Sequence, residues 1–367
     1  MAGAVQFHPA SEPDFAVPPG ESIREFLDEL GMSQRQLASR LGLSPKHVNQ
    51  LIQGLVSLSP EVATRLELVT GMPAKLWNRL EADYQTAQQR LRARDDLQEL
   101  TEWLKEFPLK EMQKRGVLPD RPDDPVSRVQ QLLAFFGVAH VSTYRELYQR
   151  PTVSFRQSKA FEADEGSVAV WLRISELAAH DVRCRPFDRD GLEDALETFR
   201  ELTVRPFRES LTAMREICAH HGVAVVIVPE VKGARVCGAT KWLNSEKAML
   251  VLSGRYRTAD QWWFTFFHEI CHVLHHGKQG IWIEDSRLDG DPKEEEANRF
   301  ARDLLIPPRE ARRLPSLKTL ASAQRFADEI GIAPGIVVGR LQHEGLLPFH
   351  HGRKLKEAIE LSDFADA

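Results

Sequence analysis

His268-Glu269-Ile270-Cys271-His272 constrains this chain more than any other stretch. Two histidines four residues apart flank a glutamate, and a helix turns that spacing into a working unit. On a helix, positions i and i+4 share one face about 6 Å apart along the axis, so two imidazoles can hold one metal ion. Glu269 sits beside them, able to take a proton from a metal-polarised water. The preceding QWWFTFF supplies the apolar surface that would bury such a helix and orient its ligands. The pattern predicts a helix from Asp260 to about His276, closed by Gly277.

One helix cannot complete the site. A catalytic zinc usually has three protein ligands plus water. His275 lies on the face of His272, but its Cα is about 10 Å along the axis from that of His268. The third ligand must come from elsewhere, and the obvious donor is the cluster Glu294-Glu295-Glu296. It opens a second helix, expected from about Glu294 to Leu305 and stopped by Pro307 and Pro308. The apolar face of that helix runs Ala297, Phe300, Ala301, Leu304 and Leu305. Glu294 falls on this face and Glu295 points away, while Glu296, nearer the Phe300 side, is the second choice. Asn298, one turn after Glu294, is placed to hydrogen-bond a ligand from behind. A solvated helix start favoured by the macrodipole accounts for Glu295. Cys271 faces away from the two histidines and reads as core filler, as does Cys237. Tyr256, His275 and His276 are the candidates for stabilising an oxyanion, though each also reads as structural.

Strand patterns precede this helix pair. GVAVVIVPEV (residues 222–231) is a continuous β-branched run of strand length, as in a buried strand. ARVCGATKWL and KAMLVLS flank the turn-like NSE at 244–246 and read as a hairpin. The edge of the strand over Lys247–Ser253 could hold an extended peptide by strand addition.

A second pattern lies near the N-terminus. MSQRQLASRLGLSPKHVNQLIQG has the spacing of a helix-turn-helix, with Leu37 and Ala38 packing inward and Gly42 in the tight turn. Ser44 is placed as N-cap with Pro45 at the first helical position, and Val48, Leu51 and Ile52 form the buried side. Gln34, Arg35, Ser44, Lys46, His47, Asn49, Gln50 and Gln53 are the candidates for contacting phosphates or base edges in a major groove. The whole chain carries 48 Lys plus Arg against 53 Asp plus Glu, which excludes a generally basic nucleic-acid coat. Between Ser33 and Gly54 the balance inverts, with Arg35, Arg40 and Lys46 and no acid. Such a modest local excess implies salt-dependent binding to double-stranded operator DNA and suits a homodimer. A protein-interaction module of the same shape is the alternative.

The 367 residues suggest about two or three folded units. We expect an α+β chain: a flexible arm over 1–18, an all-α helix-turn-helix domain over 19–84, and a connecting helix and linker over 85–125. A helical segment over 126–205 follows, then an α+β domain with a small sheet over 206–310 and a helical tail over 311–367. One long helix is expected from Tyr84 to Phe107, and three prolines in LPDRPDDP mark a boundary at 118–125. In the tail, FADEIGIAPGIVVGRLQHEG repeats the helix-turn-helix spacing, with Ala327, Gly331 and Val337 matching Ala38, Gly42 and Val48. Its acids favour packing or dimerisation over DNA reading. No stretch approaches the roughly 20 apolar residues that span a bilayer, the N-terminus lacks a secretory pattern, and four cysteines form no CxxC pair. A cytoplasmic protein with free thiols is expected, without a membrane partner.

FTFFHEICHVLHH followed by EEEANRFARDLLIP resembles the ImmA/IrrE family of zincin-type metallopeptidases. The resemblance implies His268, His272 and Glu294 as ligands of Zn2+ (or Mn2+) and Glu269 as the catalytic residue of amide hydrolysis. Residues 19–84 resemble the HigA-type antitoxins of the Cro/C1 class, which implies a five-helix DNA-binding domain with Pro45, Lys46, His47 and Asn49 at the groove. Together they imply a transcriptional regulator whose zinc endopeptidase domain cuts a protein substrate such as a repressor or antitoxin. The rival expectation is a non-proteolytic antitoxin or transcription factor that uses the zincin domain as a metal sensor or binding platform.

Overall fold

The computed structural model describes residues 15–120, 124–149, 164–255, 257–277, 281–284 and 291–360, with backbone alone for 93, 95 and 281–284. By their internal contacts the described residues divide into two units: 15–104 with 124–130, and 105–120 with the described residues from 131 to 360. The first fourteen residues of the expected arm and Tyr256 lie outside the described residues.

The first unit carries helices α1 (Pro19–Glu29), α2 (Gln34–Leu41), α3 (Pro45–Ile52), α4 (Pro60–Thr70) and α5 (Ala74–Gln98). Three of the starts have a side-chain cap. Ser33 and Gln36 form a reciprocal capping box on α2, and Ser44 and Ser59 accept backbone N–H groups at the starts of α3 and α4. Gly42 closes α2 in the left-handed conformation at φ 66°, which places α3 across it. Ile23, Leu37, Ala38, Val48, Leu51, Ile52, Leu66 and Trp77 fill the shared core. Gly20 lies so close to the end of α3 that a β-carbon there would sit 2.1 Å from the Ile52 carbonyl oxygen. Backbone cannot yield as a side-chain tip does. Gly20→Ala is therefore expected to destabilise this unit by about 1–3 kcal/mol, read as a lower midpoint in urea denaturation.

The long helix starts and ends earlier than expected. Pro73 sets its start, and α5 gives way after Gln98 to a 3₁₀ turn over Thr101–Glu106. Thr101 Oγ1 donates to the Gln98 carbonyl at 3.0 Å, taking up a helix-end acceptor, and the change of pitch accompanies burial of Trp103.

In the second unit α6 (Leu109–Lys114) is anchored where Arg115 donates to the carbonyls of Pro229 and Glu230 at 2.8 and 2.6 Å. The described residues of the middle segment are mainly helical: α7 (Pro125–Phe136), whose first six residues count with the first unit, then α8 (Val141–Tyr144), α9 (Glu165–Asp181), α10 (Arg189–Asp194), α11 (Leu196–Leu202) and α12 (Phe207–His220). Strands β1 (Val223–Ile227), β2 (Gly238–Asn244), β3 (Lys247–Leu252) and β4 (Ile281–Glu284) form one sheet in the order β1-β3-β2-β4. β1 runs parallel to β3, and the other pairs are antiparallel. β3 is thus interior, and the strand-addition edge expected along Lys247–Ser253 is already paired on both sides. Its apolar run over residues 248–252 suits that interior place, and β1 and β4 are the outer strands.

Helix α13 (Ala259–His275) lies on one face of the sheet and α9 on the other. Adjacent residues of β2 show this alternation: Thr240 meets Glu269 of α13, and Lys241 pairs with the buried Glu176 of α9. Phe199, Trp262, Trp263, Phe266 and Phe267 pack the core behind α13. Beyond it lie α14 (Pro292–Leu305), α15 (Pro308–Ala311), α16 (Leu320–Ile330) and α17 (Pro334–His343). The pair α16–α17 does repeat the α2–α3 arrangement, with a capping box at Thr319 and a left-handed Gly331. Yet α17 buries Ile336, Val337, Val338 and Leu341 and packs against α13. Gly339 allows that approach, since a β-carbon there would meet Asp260 Oδ2 at 2.6 Å. Among the described residues no helix is long and apolar enough to cross a membrane.

Candidate functional site

Two helices face each other to build the metal centre. Asp291 caps α14 by accepting from the Lys293 N–H, and Pro292 occupies the first turn, so the helix begins just before its acidic run. That phase turns Glu294 inward, where it is 2% exposed. Across from it, His268 and His272 are 1% and 0% exposed. Glu294 Oε2 lies 3.0 Å from His268 Nε2, Glu294 Oε1 lies 3.4 Å from His272 Nε2, and the two Nε2 atoms are 3.0 Å apart. The three side chains form a group that could hold a metal ion, with one donor atom each within 4.8 Å of the others.

The donor chemistry fits a divalent ion of the zinc class. Two neutral imidazoles and one carboxylate are an ordinary ligand set for catalytic zinc. Burial, then the fields of His268, His276 and Lys293, push the His272 pKa down to about 2, so its ring is a neutral imidazole over the neutral range. His268 Nδ1 lies 3.1 Å from Asn298 Oδ1. With that nitrogen donating, Nε2 is left to face Glu294, which is the placement expected of Asn298.

Glu269 is fully buried on the sheet side of α13. Thr240 Oγ1 donates to Glu269 Oε2 at 2.5 Å, and a β-carbon on Gly238 would come within 2.8 Å of Oε1. Neither β2 residue stood out in the sequence, because Thr240 is 29 positions from Glu269 and carries no motif.

The other expected residues fall as follows. Glu295 is exposed, and Glu296 reaches His276, with Oε2 3.4 Å from Nε2, rather than the ligand cluster. His275 is exposed, with its ring against Phe300 and Nδ1 3.5 Å from Arg189 Nη2, so it does not face the cluster. His276 is buried beside His272. Cys271 is buried, and its burial with the nearby Glu296, Glu294 and Glu269 raises the thiol pKa to about 12, which keeps it protonated. Cys237 is buried near the hairpin.

In the first unit Arg35, Lys46, Asn49 and Gln53 are exposed, and Gln34, His47 and Gln50 are half-buried. Asn49 Nδ2 is 3.5 Å from Gln34 Oε1, which links the middle of α3 to the start of α2. Ser44 is exposed, but its hydroxyl accepts the His47 N–H at 3.1 Å as the N-cap of α3.

Residues 23–77 match the family described as Helix-turn-helix, and residues 218–341 match the IrrE N-terminal-like domain. An uncharacterized HTH-type transcriptional regulator of Escherichia coli (strain K12), YddM, is 34% identical over 70 residues, which are 19% of this chain and 74% of that protein. The chain belongs to the helix-turn-helix regulators. It joins that DNA-binding module to a domain of the IrrE metallopeptidase family. This helix-turn-helix regulator is also 31% identical over 70 residues to virulence-associated protein I of Dichelobacter nodosus, covering 19% of the chain and 65% of that protein. Among solved structures, antitoxin GraA is 31% identical, with 20% of this chain and 84% of that one covered at a TM-score of 0.20.

Proposed function

We propose that this regulator binds operator DNA through α3 and hydrolyses a peptide bond in a protein partner, such as a repressor or antitoxin. The partition into a DNA-binding domain over 19–84 and a peptidase domain over 206–310 belongs to this proposal. The observation that carries it is the convergence of His268, His272 and Glu294 beside Glu269, all within 2% of full burial. In this reading those three hold the ion, zinc or manganese, and Asn298 fixes the His268 ring. A bound divalent ion supplies Lewis acidity, which lowers the pKa of water enough for hydroxide chemistry at neutral pH. Glu269 accepts the proton of the attacking water and delivers it to the leaving amine. Thr240 holds the Glu269 carboxylate in place by donating to Oε2. An extended substrate would pair along the outer edge of β4, one of the two outer strands, and not along the interior β3.

The depth of burial of Glu269 favours a second reading, a metal-dependent sensor or binding platform without turnover. One comparison separates the two: the protein content of cells carrying wild type and cells carrying Glu269→Gln, with metal analysis of both purified proteins. A partner that accumulates only with the variant, at equal metal content, supports proteolysis. Identical profiles overturn it.

For the DNA-binding unit, Lys46→Ala is expected to weaken operator binding uniformly across sequences and to reduce the salt slope by about one. Asn49→Ala is expected to cost about 1–3 kcal/mol at the base it reads. Titrations at several salt concentrations measure both, and a Lys46→Ala protein with unchanged slope removes Lys46 from the phosphate contacts.

A further inference from the structure

Helix α14 does more in this geometry than supply Glu294. The two imidazoles of the cluster differ in what stands behind them. His268 Nδ1 meets the Asn298 amide oxygen, whereas His272 Nδ1 meets another ring nitrogen, Nδ1 of His276, at 2.6 Å. Two ring nitrogens that close must share one hydrogen, so one donates and the other accepts. His272 Nε2 points at His268 and Glu294 and must keep its lone pair to act as a ligand. The hydrogen therefore belongs on His272 Nδ1, which donates to His276 Nδ1. That choice fixes the tautomer of His276, which then carries its own hydrogen on Nε2. His276 Nε2 lies 3.4 Å from Glu296 Oε2, an anionic acceptor on α14.

We propose that His276 and Glu296 are positioning residues, an arm running from α14 through an imidazole that holds His272 in its metal-binding tautomer and orientation. The inference rests on the metal-site reading given above. In it, alternate residues of α14 divide the work: Glu294 is the ligand, Asn298 steadies one histidine and Glu296, through His276, steadies the other. Burial agrees with the arrangement, since the His276 side chain is 3% exposed and the Glu296 side chain 48%. A sheltered His276 is a fixed acceptor, and Glu296 is a partly wet anchor that contributes less.

The test is the Zn2+ affinity of the full-length chain, measured by competition with a chromophoric chelator, alongside thermal unfolding of each metal-free protein. His276→Phe keeps a ring of similar size but accepts no hydrogen bond, and its affinity is expected to fall about 10–100-fold. His276→Gln offers an amide oxygen to His272 Nδ1 and is expected to recover most of that loss. Glu296→Ala, at a half-exposed position that tolerates truncation, is expected to weaken binding several-fold. Equal affinity in wild type and His276→Phe overturns the arm while leaving the metal site standing. Equal losses in His276→Phe and His276→Gln reduce His276 to packing and also overturn it. Should His276→Phe fail to fold, Glu296→Ala and His276→Gln decide: unchanged affinity in Glu296→Ala removes the anchor, and a full loss in a folded His276→Gln removes the acceptor. A wild type that takes up no zinc overturns the metal site itself, and the arm with it.

Discussion

Glu269→Gln is expected to slow hydrolysis of the partner by about 10²–10⁴-fold, the usual contribution of a positioned general base. Zinc content should not change, because Glu269 is not in the cluster formed by His268, His272 and Glu294. Glutamine is nearly the same shape and can still meet the Thr240 hydroxyl, which now donates at 2.5 Å to Oε2. The variant therefore removes basicity with little change in packing. Single-turnover cleavage of the partner, with metal analysis of the same sample, is the measurement. A variant that keeps its zinc and cleaves at the wild-type rate would eliminate Glu269 as the base.

Phe266→Ala is expected to cost about 3–5 kcal/mol of stability, the largest loss we expect from a single core truncation. The ring is fully buried, 5.1 Å from Phe199, 5.7 Å from Trp263 and 5.3 Å from Phe267 between centroids. Removing it leaves a cavity behind α13 that rigid aromatic neighbours cannot readily fill. The effect should reach the metal centre, since the same packing sets the direction in which His268 and His272 project from α13. Urea denaturation of the metal-free protein gives the stability term. A shift within about 0.5 kcal/mol, the range of ordinary surface substitutions, would show that α13 is held by other contacts.

Much of the local structure was legible because it is local chemistry. Ser44-Pro45 starts α3, Gly42 ends α2, and Gly277 follows α13 with φ 76°. The apolar phase of α14 turned Glu294 inward and Glu295 outward, as the helical wheel implies. His276 was legible in part: it stands four residues after His272, the spacing that brings His268 and His272 together. Its partner Glu296 was read only as a spare ligand, because phase gives a direction and not the distance to another helix. The end of α5 at Gln98 is not encoded in its breaker-free charged run, because the burial of Trp103 just beyond it depends on partners that the run does not contain.

What the sequence alone determined is which residues share a helix face, because the 3.6-residue turn is covalent and hydrogen-bond geometry that travels with the chain. That suffices for His268 with His272, for the inward phase of Glu294, and for the exposed side of α3. Only the tertiary structure decided which strand lies inside the sheet, that Thr240 of β2 meets Glu269, and that α17 is spent on packing against α13. These depend on which apolar faces exclude water most completely when brought together. That contest is settled between segments far apart in sequence, so no local pattern records its outcome.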